Sequence, residues 1–369
     1  MAGRVEWIAT GSDLGALAGR IGPGAVALDC EADSLHHYPE KTCLVQLSHG
    51  GTDHLIDPLA LDDLAPLAPV LGDSQHRKIL HGADYDLRVL ERDFGLRIHG
   101  LFDTMVAARL AGEPGLGLAA LLETHVGVRL DKRYQRADWS QRPLSAEMES
   151  YAALDTRHLE ELAFILESRL RQLGRDAWAR EEFVRLEAVR WRESDPADAF
   201  RRIKGSGRLS PRSQLILREL WQLRESEARA RDRPPFKVLP DSALLAVARA
   251  APDGEPELQP LDSVPQSWRS GGRAQRILEA VARGRNASLD SLPAAAPRPV
   301  RRRTPDKGLE KLLAARDALA ASLGLEPSVL GPRRVLEQLH ARRESGDDPS
   351  EIPELRLWQA ELLVPLLGD

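Results

Sequence analysis

The sequence predicts an α/β fold, a mixed five-stranded sheet flanked by helices, followed by a helical C-terminal part. Three observations predict it. Short strand-like runs at 26–31, 42–48, 53–56, 78–81 and 97–102 are separated by turns or by stretches of helical apolar spacing. The first three follow one another without an intervening helix, which makes an antiparallel meander, whereas the last two each follow a helix; the sheet is therefore mixed rather than doubly wound. From about residue 210 onward, the readable segments are helices.

With 369 residues the chain has room for two or three domains, each with its own core. It contains no apolar run long enough for a membrane helix. The opening Met1-Ala2-Gly3-Arg4-Val5-Glu6-Trp7 also lacks the basic-then-apolar layout of a signal peptide, so a cytoplasmic protein without a membrane partner is expected. Two cysteines, Cys30 and Cys43, are too few for a disulfide framework or a zinc site and read as small buried hydrophobes.

The net charge of −5 conceals a division along the chain. Residues 1–200 hold 22 Lys and Arg against 33 Asp and Glu, residues 201–303 hold 21 against 11, and the last 66 hold 8 against 12. An acidic block followed by a basic one suits a metal-dependent catalytic domain joined to a polyanion-binding domain; mutual pairing of the two blocks would give the same composition.

In chain order, Ser12-Asp13 reads as a cap for a helix carrying Leu14, Leu17 and Ala18, which Gly22-Pro23-Gly24 ends. The strand that follows carries Asp29 and Glu31, which the period of two places on one face, with Cys30 on the other. Neighbouring like charges disfavour ionisation unless a cation lies between them, so the pair reads as half of a site for a divalent metal, with hard oxygen ligands favouring Mg2+ or Mn2+. An acidic turn at a strand end is the plainer alternative for this pair taken alone. A helix is expected over 61–71 and another after His81-Gly82, with Asp86 in its first turn, near the C-terminal edge of the sheet. The helix macrodipole alone favours an acid at that position. Asp103 reads as a structural cap. Residues 116–126 form a helix, 131–142 a polar loop with Tyr134, Asp138 and Trp139, and 146–173 one long helix on which Tyr151 and Asp155 lie four apart on the same face.

Taken together, Asp29-x-Glu31, Asp86 and Tyr151-x-x-x-Asp155 resemble the three motifs of the four-carboxylate 3′-5′ exonuclease superfamily in its tyrosine branch. The histidine branch would need His where Ser150 stands. His81-Gly82 before the second motif, and the run from Asp138 to Ser145 before the third, are similar to ribonuclease D, over residues 1 to about 200. Ser210-Pro211-Arg212, the following leucine-rich helix and the stretch from Arg233 to Asp241 resemble the helical HRDC module. A degenerate second copy runs from Asp306 to the C-terminus. Residues 292–303 read as an exposed basic linker between the copies.

The resemblance implies a ribonuclease H-like sheet followed by two small all-α domains, with boundaries 1–200 for the exonuclease, 208–288 for the HRDC domain and 304–369 for the second, HRDC-like one. It implies a 3′-5′ exoribonuclease that uses two divalent metal ions, Mg2+ or Mn2+, and releases nucleoside 5′-monophosphates. The substrate would be RNA with a free 3′ end, such as tRNA precursors; the oligomeric state stays open, with a monomer favoured. Asp29 would bridge both metals, Glu31 and Asp155 would complete the site of the attacking water, Asp86 would support the second metal, and Tyr151 would orient the water. The family often has Thr where Cys30 stands; because that side chain faces away from the two acids, little effect on metal binding is expected. A DNA 3′-5′ exonuclease in repair, and an inactive nucleic-acid-binding protein, are the competing readings.

Overall fold

The computed structural model describes residues 4–131, 133–193, 195–292, 306–348 and 351–368. The expected basic linker lies outside them except for Leu292. Strand β1 (Arg4–Ile8) is followed by helix α1 (Gly11–Arg20), β2 (Ala25–Ala32), β3 (Thr42–His49), β4 (Thr52–Ile56), the short α2 (Ala68–Gly72), β5 (Arg77–Leu80), α3 (Asp84–Phe94) and β6 (Leu101–Asp103). These strands form one mixed sheet of six in the order β1-β4-β3-β2-β5-β6. β3 and β4 are antiparallel, and β1–β4, β2–β5 and β5–β6 are parallel.

The expected count of five strands is corrected by β1. It is an edge strand in which only Ile8 is buried, so its apolar pattern is too weak to separate it from a loop. Two helices also differ from expectation. The segment 61–71 shortens to a 3-10 turn at Ala65–Leu67 and α2, each begun by a proline that has no N–H to give to a preceding turn. The long helix expected over 146–173 is two, α6 (Ala146–Arg157) after α4 (Thr104–Ala111) and α5 (Leu118–His125), and then α7 (Leu159–Gln172). They part at His158, whose backbone leaves the helical region at φ −105°, ψ 5°. At α1 the cap is Thr10, one turn ahead of Asp13, whose N–H it accepts at 3.2 Å.

Alternation along β2 fixes what each face sees. Val26, Leu28 and Cys30 join the core that α1 and α3 cover with Leu14, Leu17, Leu87 and Leu90, whereas Ala27 joins a second core with Ala108 of α4 and Leu162 and Leu166 of α7. Asp29 and Glu31 therefore continue the face of Ala27.

The chain divides into two compact units, one of residues 1–31, 42–191 and 301–369, the other of 32–41 and 192–300. In the first, α8 (Asp176–Glu187) and the C-terminal helices share the core of α7: the rings of Trp178 and Trp358 stack at 4.7 Å, Arg356 grips Glu182 at 2.8 and 3.1 Å, and Arg175 donates to the Leu110 carbonyl at 2.7 Å. The second unit is built on α9 (Pro211–Ala230), begun by Ser210 as cap and Pro211, with α10 (Pro235–Val238), α11 (Asp241–Ala250), α12 (Glu255–Leu258) and α13 (Gly271–Asn286) around it. Gly284 of α13 packs so closely on Ile216 of α9 that a Cβ would stand 2.5 Å from the Ile216 Cα. Residues 32–41 belong to this unit through Tyr38, whose hydroxyl donates to Glu225 and whose N–H reaches Asp232 at 3.0 Å. The C-terminal helices are α14 (Lys307–Leu323), α15 (Pro327–Leu330), α16 (Arg333–Ser345) and α17 (Leu357–Leu363). Among the described residues no helix is long and apolar enough to cross a membrane.

Lys78 of β5 is fully buried, its ammonium donating to the carbonyls of Val70 at 3.2 Å and Asp73 at 2.5 Å. Burial pushes its pKa down from 10.5 to about 8. A lysine depressed in the folded state binds fewer protons there than in the unfolded chain, so its contribution makes stability rise with pH between about 8 and 10.5. Urea unfolding at pH 8 and pH 10 is expected to show a larger rise for the wild type than for Lys78→Met. Equal pH dependence of the two proteins would mean that the folded protein does not perturb this amine.

Candidate active site

The end of β2 sets the site. Asp29 and Glu31 stand side by side there, and carboxylate oxygens of Asp29, Glu31 and Asp155 all lie within 4.8 Å of one another. Asp86, buried in the first turn of α3, comes from the other side of the strand. The turn that delivers it is held by Asp103, which accepts from the N–H groups of Gly82 at 3.1 Å and Ala83 at 2.7 Å, and also from Met105 and Val106 at the start of α4. The expected cap is thus confirmed and does more than cap. Gly82 has φ 75°, a backbone region that costs other residues energy.

Tyr151 and Asp155 sit one turn apart on α6, which is fixed to β3 and β4 at both ends. Before the helix, Arg142 grips buried Asp57 at 2.8 and 2.6 Å and donates to the carbonyls of Cys43 and Trp139 at 2.6 and 2.8 Å. At its end, Arg157 reaches buried Asp53 at 2.7 Å, Ser48 donates to the same carboxylate at 2.6 Å, and Thr156 meets the Ser48 hydroxyl at 2.7 Å. The Arg142–Asp57 pair is bidentate, the geometry in which an Arg fixes orientation as well as distance, whereas Arg157 brings two nitrogens to one Asp53 oxygen and Ser48 takes the other. Ser145 caps α6 through the N–H of Met148 at 3.3 Å.

Among the described residues no Lys or Arg is paired with the four clustered acids. Burial, followed by mutual repulsion, therefore dominates their ionisation. Asp29 is pushed up to about 7 and Asp155 to about 8, each mainly by burial, and Glu31 and Asp86 lie well above the usual carboxylate range for the same reason, with Asp29 as the strongest repelling charge. Tyr151 is raised by burial and then by Asp155, so its phenol keeps its proton at neutral pH. Asp29, Glu31 and Asp155 open into a cavity of about 580 Å³ that Cys30, Tyr151 and, at the start of α5, Gly117 and Leu118 also line. A donor set made only of carboxylates, drawn together without a counter-charge, fits hard divalent cations.

Of the residues expected to form the site, Asp29, Glu31, Tyr151 and Asp155 line the cavity together, and Asp86 lies buried in the first turn of α3. What escaped that reading is the pairing of Arg142 and Arg157 with acids 85 and 104 residues earlier, which only the fold reveals.

A 3′-5′ exonuclease family model matches residues 5–171, and an HRDC domain model matches 213–281. Ribonuclease D of Pseudomonas paraeruginosa is 34% identical over 341 residues, 91% of this chain and 89% of that protein. The chain belongs to the ribonuclease D family. Ribonuclease D of Cronobacter turicensis is 32% identical over 347 residues, 92% of each chain. The crystal structure of Escherichia coli RNase D, an exoribonuclease involved in structured RNA processing, matches with a TM-score of 0.77 at 28% identity, over 99% of this chain and 97% of that one. The catalytic core of RRP6 from Trypanosoma brucei matches with a TM-score of 0.64 at 31% identity, over 76% and 79%. Membership of the ribonuclease D family makes this chain a 3′-5′ exoribonuclease with a C-terminal HRDC domain.

Carboxylates raised in the folded state hold protons that the unfolded chain gives up, so without metal the fold loses stability as pH rises toward 7 and 8. A divalent cation favours the ionised forms and should cancel that loss. Melting temperatures from pH 6 to 8.5 in a chelator and in Mg2+ are expected to diverge with rising pH. Parallel curves would contradict this account of the cluster.

Proposed function

We propose that this chain trims RNA from a free 3′ end by a two-metal mechanism, with Asp29, Glu31, Asp86 and Asp155 as metal ligands and Tyr151 as the fifth catalytic residue. The observation that carries the reading is the convergence of Asp29, Glu31 and Asp155 within 4.8 Å in a cavity that Tyr151 also lines. Asp29, Glu31 and Asp155 would hold one ion, either Mg2+ or Mn2+, and Asp86 would support a second together with Asp29. When bound, the ions lower the pKa of water and offset charge on the reacting phosphate and the leaving oxygen.

The protein's own groups then position the reactants. Tyr151 keeps its proton and serves as a hydrogen-bonding guide for the attacking water rather than as a base. Hydrolysis breaks the bond between phosphorus and the 3′ oxygen of the preceding nucleotide, leaving a nucleoside 5′-monophosphate and a new 3′-hydroxyl. The start of α5, where Gly117 and Leu118 line the same cavity, is a helix N-terminus that an anionic substrate group would favour.

We assign residues 1–200 to the exonuclease domain, 208–288 to the HRDC domain and 304–369 to a second, degenerate HRDC-like segment. The excess of cations over 201–303 supports binding the body of a structured RNA, with tRNA precursors a fitting class. A cytoplasmic monomer is the matching state of the protein.

The test combines one substitution with two substrates. Asp29→Asn should abolish hydrolysis of a 3′-labelled RNA while leaving the metal-free melting temperature equal to or above that of the wild type, because a repelling charge has gone. The wild type should degrade RNA in preference to a DNA of matched sequence. Activity of Asp29→Asn within roughly tenfold of wild type would remove Asp29 from the site, and faster hydrolysis of DNA would favour a repair exonuclease.

A further inference from the structure

Away from the catalytic cluster, the C-terminal helices bring another group of metal-type ligands together. Asp306, directly before α14, and His340 and Glu344 of α16 each place one ligand atom within 4.8 Å of the others. The His340 Nε2 lies 3.0 and 3.1 Å from the two carboxylate oxygens of Asp306 and 3.5 Å from Glu344 Oε1. Bonds of about 2.0–2.1 Å from a tetrahedral zinc ion set neighbouring ligand atoms roughly 3.3–3.4 Å apart. The imidazole nitrogen therefore stands from both acids at close to the spacing such an ion needs.

Three local features build this arrangement. His340 and Glu344 are four apart on α16, so they share one face and can close on one ion from the same side. Asp306 comes from a different element and is already oriented: as it caps α14, one of its oxygens accepts from the N–H groups of Gly308 at 3.0 Å and Leu309 at 3.1 Å. Backbone donors that fix a carboxylate in this way leave it less freedom to lose when it ligates. The third feature is Gly308. A Cβ there would stand 2.5 Å from His340 Cε1 and 3.1 Å from Nε2, so the imidazole reaches Asp306 because the first turn of α14 has no side chain at that point. Glycine costs a helix stability relative to alanine, and here the missing Cβ makes the room that the ring occupies.

We propose that Asp306, His340 and Glu344 form a zinc site that ties the start of α14 to α16. One imidazole with two carboxylates suits Zn2+, whereas the all-oxygen set of the catalytic cluster suits the harder Mg2+ or Mn2+. The His340 side chain is 15% exposed and that of Glu344 48%, so the site opens on the Glu344 side and leaves a fourth coordination position to solvent. An ion held only by the folded chain stabilises the C-terminal helices by mass action. None of the three residues belongs to the catalytic cluster, so the two sites stand or fall separately. The plainer account of the same distances is an ion triad, in which a protonated His340 pairs with both acids and no metal is involved.

The experiment uses the full chain in excess Mg2+, which competes for the catalytic carboxylates, and counts the Zn2+ retained at low-micromolar free metal by equilibrium dialysis. The wild type should hold one equivalent more than His340→Ala, and Zn2+ should raise the melting temperature of the wild type but not of the variant. Glu344→Gln, a change of similar shape at an exposed position, should lose the same equivalent and keeps the test decisive if His340→Ala folds poorly. X-ray absorption at the zinc edge should show imidazole scattering in the wild type that His340→Ala removes. The catalytic acids offer no imidazole, so this signal separates the two sites. A metal-free triad predicts another pattern, in which both substitutions lower the melting temperature without zinc and all three proteins retain the same amount of Zn2+. Equal zinc content in the three proteins, or a zinc edge without imidazole scattering in the wild type, would overturn the proposal.

Discussion

Four carboxyl groups brought into one buried place repel one another, and much of the first unit is arranged to keep them there. Asp29 and Glu31 cannot leave because β2 is paired on both edges within the sheet. Asp86 is fixed by the turn that Asp103 ties, and Asp155 by a helix clamped through Arg142–Asp57 before it and Arg157–Asp53 at its end. The two clamps use buried ion pairs whose loss would leave a charge without its partner, a strongly destabilising event. Burial supplies the strain as well as the rigidity. Water is kept from the acids on the core side, which raises their pKa values and makes the arrangement most favourable when a divalent cation shares it.

The acids themselves were legible in the sequence because their order and spacing are carried by local elements. A strand of period two sets Asp29 beside Glu31, and a helix sets Tyr151 over Asp155. The groups that hold those elements were not legible. Arg142 is separated from Asp57 by 85 residues and Arg157 from Asp53 by 104, and an arginine in a loop or on a helix reads locally as a solvated charge. The same applies to β1: its five residues bury one side chain, and only pairing with β4, far along the chain, makes them a strand. The break at His158 is a local backbone event inside a segment whose apolar spacing continues on both sides, so periodicity alone reads through it.

The charge map along the chain also acquires a physical meaning. Part of the acidic excess of residues 1–200 is the cluster itself. In the second unit, many arginines are already engaged by acids of the same unit: Arg224 by Asp241 at 2.6 Å, Arg283 by Glu219 at 3.1 Å, and Arg276 by Glu227. Such pairs stiffen the helices around α9. The C-terminal helices follow another logic. They pack on α8, where Trp178 stacks on Trp358 and Arg356 grips Glu182, a structural role within the first unit.

The central claim is that the scaffold holds these acids together for divalent cations. Crystals soaked in Mn2+ and measured at a wavelength where manganese scatters anomalously test it most directly. The account predicts two anomalous peaks, one among Asp29, Glu31 and Asp155 and one beside Asp29 and Asp86, with the protein side chains nearly unmoved. Peaks elsewhere on the protein, with none touching Asp29, would contradict it.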